Sequence, residues 1–396
     1  MLAHITKLIW NRKRANILII TEVAITFAVL FFITTLSVSN YQKFNQPLGF
    51  NWENTWEIEV KTAAPWNNDI DSQQFSQLVY ALKERPDISS VGLTLMPVFE
   101  RSSMSSSREV NGQEIYFRSN FVDQDGPKNW GVELIAGRWF GEQDNGQNYT
   151  EVMINEKFAQ QAFKDTNPVG AEFGNSLHPE RKLWRIVGVF KDFRQLGEFS
   201  DPLPYLFHRY QLEEGSSRGM RHINITFNNK INASYEEGLL KLLKGITPNW
   251  EFTIRSWEAK RSRQINEFLI PMAVMFVVVG FLLVMVAMGL FGVLWQNISR
   301  RTQEIGLRRA LGASKISIQL QIISEFIVLA LFGIAIASLL LIQLPILQLV
   351  DGLNWPLFWL SIAVAMVIIL LMVILCALYP SRTAIRIPPA HALHYE

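Results

Sequence analysis

The feature that most constrains this chain is an uncharged apolar run from Phe268 to Trp295. As an α-helix, a run of this length extends about 42 Å, whereas the hydrocarbon core of a bilayer is about 30 Å thick. We therefore predict a membrane-spanning helix that tilts or projects beyond the bilayer. Three further apolar runs have spanning length, so four transmembrane helices are predicted, at residues 15–39, 268–295, 318–342 and 357–379.

The basic residues indicate which ends of these helices face the cytoplasm. Lys and Arg beside membrane spans are retained in the cytoplasm, and residues 1–14, 296–317 and 380–396 all carry them. The loop 343–356 contains neither. The sequence therefore predicts cytoplasmic termini, a cytoplasmic segment at 296–317 and external regions at 40–267 and 343–356. The first apolar run is too long for a typical signal peptide and lacks a clear cleavage site, so we expect it to be retained.

The large external region repeats one order of elements. Alternating and helical spacings predict two strand–helix–strand units, Asn54–Lys61, Ser72–Glu84 and Val91–Phe99, then His222–Phe227, Ala233–Lys244 and Phe252–Trp257. The units flank the region beside its two membrane connections and give it weak internal pseudo-symmetry. The predicted fold class is an α-helical membrane protein with four transmembrane helices and a large α+β domain inserted between helices 1 and 2.

Two segments of the external region lack these patterns. Residues 256–267 are polar and helix-compatible, and they run into the second span, so we predict a helical stalk. Residues 102–107 are rich in Ser and flanked by Arg. They predict a solvated linker or a mobile loop.

The cytoplasmic segment 296–317 carries a dense set of charges, namely Arg300, Arg301, Glu304, Arg308, Arg309 and Lys315. Glu304 precedes Arg308 by four residues, a spacing that supports a helix. Gly306 and Gly312 are weak helix formers, and they suit either a short elbow or a backbone that another protein approaches closely. A basic segment beside a membrane can also act simply as an anchor to lipid head groups.

Two acids in the predicted spans are candidate intramembrane polar contacts. Glu22 could face the bundle interior and pair with a basic group. Because the uncharged run 23–42 is long enough to span alone, we favour a position near the cytoplasmic boundary, where the carboxylate reaches water. Glu325 lies in the first turns of the third span. Its side chain could either make a contact in the bundle interior or extend to the cytoplasmic surface.

Several motifs of independent catalysis are missing from this sequence. It contains no GxxxxGK[ST] phosphate loop and no HExxH or CxxC motif. His178, His208 and His222 lack the spacing of metal ligands, and Cys376 is the single cysteine. The basic residues follow the membrane boundaries, so nucleic-acid binding has no support. We therefore predict no catalytic residue, no metal site and no cofactor in this chain.

Residues Arg301–Ser314, RTQEIGLRRALGAS, resemble the coupling-helix signature of ABC transporter permeases of the MacB and FtsX superfamily. The resemblance implies that this segment docks into a groove on a cytoplasmic ATPase. The residues that it assigns to the ATPase contact are Glu304, Gly306, Arg308, Arg309, Gly312 and Ala313. Arg308 and Arg309 would meet acidic groups there, and the glycines would allow close approach.

Further segments extend the resemblance over most of the chain. Residues 137–193 contain Gly-Arg-Trp-Phe, Val-Met-Ile-Asn-Glu and Asn-Pro-Val-Gly-Ala, whose order and spacing resemble the periplasmic domain of the MacB family. The Pro and Ala-Leu spacing of the tail 380–396 is similar to that of the same permeases. The resemblance implies an inserted second lobe at 130–212 and a periplasmic location for the large domain, in a bacterial inner membrane.

The function implied by the resemblance is that of a permease subunit, not an enzyme by itself. It would transmit motion from a separate ATPase, which binds ATP and Mg, to its periplasmic domain and drive efflux of periplasmic substrates. The implied partners are that ATPase, a second copy or a related permease, membrane lipid, a periplasmic adaptor and an outer-membrane channel. FtsX-like signalling to cell-wall hydrolases and lipoprotein release are alternatives on the same architecture. A membrane-tethered enzyme would leave the 304–314 motif unexplained.

Overall fold

The computed structural model describes residues 13–62, 68–164, 166–174, 183–210, 222–232, 234–299, 302–350 and 352–386. Predictions that concern residues 1–12, His178, Ala233, Arg300, Arg301 or the tail from residue 387 lie outside the described residues, as does the side chain of Arg309. The chain forms two compact units. We call Met1–Gln42 with Pro271–Glu396 the helical unit, and Lys43–Ile270 the sheet unit.

The elements follow in chain order. The helices are α1 (Lys13–Phe44), α2 (Asn68–Lys83), α3 (Gly126–Asn129), α4 (Glu156–Phe163), α5 (Ser234–Ile246), α6 (Trp257–Ser299), α7 (Thr302–Ala310), α8 (Lys315–Leu341), α9 (Gln343–Ile346) and α10 (Trp355–Arg386). The strands are β1 (Thr55–Lys61), β2 (Ile88–Thr94), β3 (Met104–Val110), β4 (Gln113–Val122), β5 (Leu134–Gly137), β6 (Thr150–Asn155), β7 (Glu172–Phe173), β8 (Trp184–Phe190), β9 (Tyr205–Arg209), β10 (His222–Phe227) and β11 (Glu251–Ser256). A short 3₁₀ turn covers Glu142–Asp144.

Four helices in the described part of the chain are long and apolar enough to cross a membrane, over Ile17–Phe44, Trp257–Gln296, Lys315–Ile346 and Trp355–Thr383. Within the helical unit their buried sides form one apolar core, which includes Phe27, Leu294 and Phe326. At Gly333, α8 approaches α1 so closely that an added Cβ would lie 2.8 Å from the carbonyl oxygen of Ile20. Glycine is needed there for helix–helix contact, as in other membrane bundles.

Among the described residues, the sheet unit contains one eleven-stranded sheet. Nine strands run in the order β11-β1-β10-β2-β4-β9-β6-β8-β5, with β3 paired to β4 and β7 to β8. In the first half, β11, β1, β10 and β2 are antiparallel neighbours. The two predicted strand–helix–strand units are β1-α2-β2 and β10-α5-β11. They interleave, because β1 lies between β10 and β11 while β10 lies between β1 and β2.

Helices α2 and α5 complete the core of this first half. Phe75, Leu78 and Leu82 of α2 are buried, as are Leu239 and Leu243 of α5, in one cluster with the apolar side chains of the strands. Their spacing of three or four residues places each set on one side of its helix. Periodicity alone therefore predicts the buried face of both helices.

The second half of the sheet includes strands that precede residue 130, where the second lobe is predicted to begin. Strands β3 and β4 belong to it, because β4 pairs in parallel with β9 and antiparallel with β3. The Ser-rich residues 102–107, predicted as a linker or mobile loop, lie largely in β3, so that prediction is wrong. The prediction failed because β3 is an edge strand with mainly polar side chains, so it lacks the apolar alternation by which strands are recognised in a sequence.

The two halves of the sheet meet at a short junction. Thr94 of β2 pairs with Val122 of β4. The next residue, Asp123, braces this point, because its Oδ1 accepts hydrogen bonds from the backbone amides of Leu93 (2.8 Å) and Gly126 (3.1 Å). One half-buried carboxyl thus ties the end of β4 to β2 and to the start of α3.

Candidate functional site

The segment that connects the second and third long helices forms a helix followed by a sharp elbow. α7 ends in a Schellman motif, in which the amide of Ala313 donates to the carbonyl oxygen of Arg308 at 3.0 Å and Gly312 has φ of +96°. α8 then starts at once, because Ser314 Oγ accepts a hydrogen bond from the amide of Ser317 at 3.2 Å. Gly312 is therefore the elbow residue.

Gly306 lies on the side of α7 that packs against the helical unit. Ile305 is only 6% exposed and belongs to the apolar core of the helical unit, and the adjacent Gly306 is also buried. Gly306 thus lies on the packed side of α7, and its role in an ATPase contact stays a prediction.

Arg308 links α7 to α8 through polar side chains. Its guanidinium donates to Glu304 Oε1 at 2.6 Å and to Gln321 Oε1 at 3.0 Å. Gln321 Nε2 in turn donates to Glu325 Oε1 at 3.4 Å. The structure therefore brings Glu304, Arg308 and Glu325 into one chain of contacts. Sequence reasoning missed Gln321, although an amide four residues before an acid in an apolar run is a signal for such a link.

Exposed apolar side chains surround the elbow. Leu307 and Leu311 of the α7 segment are 52% and 80% exposed, and Ile316 of α8 is 70% exposed. We call these three side chains the elbow patch. Sequence reasoning overlooked it, yet Leu307 and Leu311 lie four residues apart and so share one side of α7. Beside the patch lie the half-exposed charges of Glu304 and Arg308.

Glu22 faces a neighbouring helix. An added Cβ on Gly289 of α6 would lie 2.5 Å from Glu22 Oε1, so glycine makes room for the carboxyl. Glu22 Oε2 is buried and has no hydrogen-bond partner among the described residues. The carboxyl thus lies against α6, and the described chain contains no basic group paired with it.

The described histidines of the sheet unit have structural partners. His208 is buried between Phe121 and Trp184, with ring centroids at 4.7 Å and 4.8 Å, and burial lowers its pKa to about 3. Nδ1 of His222 lies 3.1 Å from Glu57 Oε1. In the part of the chain that the structure describes, no group of three His, Cys, Asp or Glu side chains could hold a metal ion.

Two family models match the chain. The model of the MacB-like periplasmic core domain matches residues 18–237, more than half of the chain, and the model of the FtsX-like permease C-terminal region matches residues 275–389. The second match contains the whole elbow.

Individual relatives are distant. The macrolide export ATP-binding/permease protein MacB of Aggregatibacter actinomycetemcomitans is 26% identical over 278 residues, which cover 68% of this chain and 40% of that protein. This chain therefore spans less than half the length of that relative. YvrN of Bacillus subtilis, an uncharacterized ABC transporter permease, is 23% identical over 438 residues and is matched over 100% of both chains. The crystal structure of the periplasmic region of MacB from Actinobacillus actinomycetemcomitans is 19% identical, with a TM-score of 0.38, and covers 57% of this chain and 99% of that one.

Proposed function

This chain belongs to the ABC transporter permeases of the MacB/FtsX family, and on that basis we propose that it couples a cytoplasmic ATPase to movement of the sheet unit. The residues of this sequence contain no GxxxxGK[ST] phosphate loop, so we assign ATP binding to an ATPase that acts on them. ATP and Mg would bind to that partner. The chain itself would contribute mechanical linkage and no catalytic group.

The observation that carries this proposal is the elbow patch with its flanking charges. Apolar side chains in the cytoplasm cost free energy unless a partner covers them, and clusters of this kind mark interaction surfaces. Leu311 is 80% exposed, and Glu304 and Arg308 lie beside it. A groove with an apolar floor and a charged rim on the ATPase would complement this set.

The internal contacts of the elbow support transmission as well as docking. A force on α7 reaches α8 through the Arg308–Gln321 hydrogen bond of 3.0 Å and through Ile305, which packs in the core of the helical unit. Because the elbow is tied to the helices at these points, movement of the ATPase would move the helices rather than only bend a loop.

The proposed output is efflux of substrates that are already outside the inner membrane. Relatives at 26% and 25% identity are named as macrolide and syringafactin exporters. On this proposal the sheet unit is periplasmic and both termini are cytoplasmic. A second permease copy or a related permease, a periplasmic adaptor and an outer-membrane channel would complete the assembly.

The experiment is affinity purification of the full chain from its native membranes, with identification of stoichiometric partners. The parent chain should recover an ABC ATPase. Leu311→Glu should lower the recovery of the ATPase at least about tenfold, equivalent to about 1.4 kcal/mol, because it places a charge at the centre of the apolar contact. Leu311 has little packing of its own to lose.

Leu349→Glu is the matched control. Leu349 is 65% exposed and follows the other end of α8, so the change adds the same charge away from the elbow. Its ATPase recovery should equal that of the parent. If the two variants recover the ATPase equally well, the elbow patch is not the contact. If the parent recovers no ATPase, the proposed coupling is wrong; a cell-wall hydrolase or a lipoprotein chaperone in the eluate would replace efflux as the output.

A further inference from the structure

The loop that connects β8 to β9 touches the ends of both long helices within the sheet unit. We call residues 191–204 the clamp loop. It comes from the second half of the sheet, whereas the chain joins the helices directly to the first half: α1 leads to β1, and β11 continues into α6. The loop therefore adds side-chain and backbone contacts between the second half and the helix ends to the apolar packing of Phe50 and Trp257 in the shared core.

The clamp loop is firmly rooted in the second half of the sheet. At its start, Asp192 Oδ1 accepts hydrogen bonds from Asn155 Nδ2 (2.8 Å) and from the amide of Lys157 (3.1 Å), at the start of α4. Further along, Gln195 Oε1 accepts a 2.7 Å hydrogen bond from the buried hydroxyl of Tyr205 in β9. Because buried and satisfied polar networks are rigid, the loop should move as part of this half.

Arg194 holds the C-terminal end of α1. Its side chain is 3% exposed, and Nη1 donates to the carbonyl oxygens of Lys43 and Gln46, both at 3.0 Å. The last carbonyls of a helix lack partners in the helix, so a cation that satisfies them also fixes the direction of the helix end. Lys43 Nζ adds an ion pair of 2.7 Å with Asp201 on the same loop.

The first turns of α6 are held by the next residues of the loop. Glu198, which is 3% exposed, accepts a charged hydrogen bond from Arg261. Gln264 Nε2 donates to the carbonyl oxygen of Leu196 at 3.1 Å. A carboxylate this deeply buried needs its cation, so the ion pair should be maintained while the protein is folded.

Phe199 lies between the two helix ends. Its ring stacks on Phe268 of α6 at a centroid distance of 4.4 Å and an interplanar angle of 10°, and it lies 5.8 Å from the ring of Phe44 of α1. A change in the separation of the two helix ends would therefore change the ring contacts of Phe199 directly.

We propose that the clamp loop converts movement of the two helix ends into rotation of the second half of the sheet relative to the first. This proposal rests on the proposed function, which supplies the ATP-driven movement of the helices. The hinge is the junction around Thr94 and Val122, where β2 and β4 share one ladder pair and the backbone hydrogen bonds from Leu95 to Phe121 (3.1 Å) and from Asp123 to Leu93 (3.3 Å). The first half follows the helices through the covalent chain, and the second half follows them through Arg194, Glu198 and Phe199.

The test measures the distance between the two halves in the full chain, assembled with its ATPase in lipid nanodiscs. In a Cys376→Ser background, spin labels replace Gln160 on α4 and Lys241 on α5, both of which are exposed. The parent should show different distance distributions without nucleotide and with ATP under conditions that prevent hydrolysis. The double variant Glu198→Gln, Phe199→Ala should lose this shift while the assembly still hydrolyses ATP.

Lys191→Gln is the matched control. It removes an exposed 2.8 Å ion pair with Glu133 from the same loop but touches neither helix end, so the nucleotide-dependent shift should persist. A shift that persists in the double variant overturns the clamp and leaves the proposed function standing. A parent that hydrolyses ATP without any shift overturns the proposed transmission, and the clamp proposal with it.

A measurement without the ATPase tests whether the clamp loop holds the two helix ends. In the full chain, Phe199→Ala should speed amide exchange at residues 43–46 and 261–268 by about tenfold or more, with β6 and β8 unchanged. Phe199→Leu, which keeps apolar volume, should restore most of the protection. Unchanged exchange at both helix ends would show that the loop does not hold them, and faster exchange in β6 and β8 would show misfolding rather than release.

Discussion

At the scale of single residues, Asp123 combines a structural role with an unusual ionisation. Burial raises the pKa of its carboxyl to about 6. The hydrogen bond from the Leu93 amide and the charge of Lys83 lower the pKa, and the charge of Asp125 raises it further. Its Oδ1 accepts two backbone hydrogen bonds at the junction of the two halves of the sheet. An amide oxygen could accept the same bonds without burying a charge.

We therefore expect Asp123→Asn to stabilise the sheet unit at neutral pH. The folded carboxyl keeps its proton up to about pH 6, whereas the unfolded chain releases it near pH 4. Between these values the folded state binds more protons, so stability falls as pH rises, and the full cost is present above pH 6. The gain should be about 1–2 kcal/mol at pH 7.5, discounted because the side chain is only half-buried, and about zero at pH 4.

Thermal unfolding of the detergent-solubilised full chain, followed by tryptophan fluorescence at both pH values, measures this difference. Glu84→Gln is the control, since Glu84 is exposed and is not among the groups that shift the pKa of Asp123. An Asp123→Asn variant that is less stable than the parent at pH 7.5 would contradict the assignment of Asp123 as a half-buried, costly charge.

Residue-scale prediction of the elbow succeeded where local spacing was sufficient. The four-residue interval between Glu304 and Arg308 predicts their contact, and the structure has it at 2.6 Å. The burial of Gly306 could not be predicted, because it depends on which side of α7 packs against the other helices. The same limit applies to Gln321, whose partner Arg308 lies on a different helix.

At the scale of elements, the elbow depends on the left-handed conformation of Gly312. We expect Gly312→Ala to destabilise the turn by about 1–2 kcal/mol, since a residue with a Cβ is strained at a φ of +96°. An added Cβ would meet nothing within 4 Å, so the cost comes from backbone conformation alone. Faster amide exchange at residues 311–314, and lower ATPase recovery in the affinity experiment, should reveal it.

The matched control for this change is Gly292→Ala in α6. A Cβ at Gly292 also meets nothing within 4 Å, but the residue is helical, so alanine should be neutral or favourable there. Equal behaviour of the two variants would mean that the conformation of Gly312 does not limit the elbow.

Element-scale prediction failed at the β3–β4 hairpin for a reason visible in the sequence. Asn111 and Gly112 have φ of 52° and 75°, the geometry that an Asn-Gly pair favours in a two-residue hairpin turn. The polar composition of β3 obscured this signal, because apolar alternation identifies only strands with one buried face. Turn chemistry would have found the hairpin where hydrophobic periodicity could not.

At the scale of the whole molecule, the distribution of Lys and Arg predicts opposite sides of the membrane for the sheet unit and the elbow. In a Cys376→Ser background, we expect Lys241→Cys to react with a membrane-impermeant maleimide when only the outer membrane is permeable. Leu311→Cys should react only after the inner membrane is opened. Both side chains are well exposed, so access depends on the membrane rather than on folding. The reverse pattern would invert the proposed topology.

The overall architecture was predictable only where interactions are local in the chain. Four apolar runs predict four long helices, and both strand–helix–strand units are visible from their spacing. The interleaving of these two units was not predictable, because the pairing of β1 with β10 and β11 joins segments at opposite ends of the region. Only the folded structure shows which distant strands pair.

The central place of β1 has a consequence for biosynthesis. β1 is made early, yet both of its hydrogen-bonding neighbours come last, and β11 ends at Ser256, immediately before α6. The sheet can therefore close around β1 only after Glu251–Ser256 has been made, immediately before the second long helix. A chain that ended before Ser256 would leave β1 with exposed edges. Completion of this domain and insertion of its second membrane helix are therefore consecutive steps of one folding event.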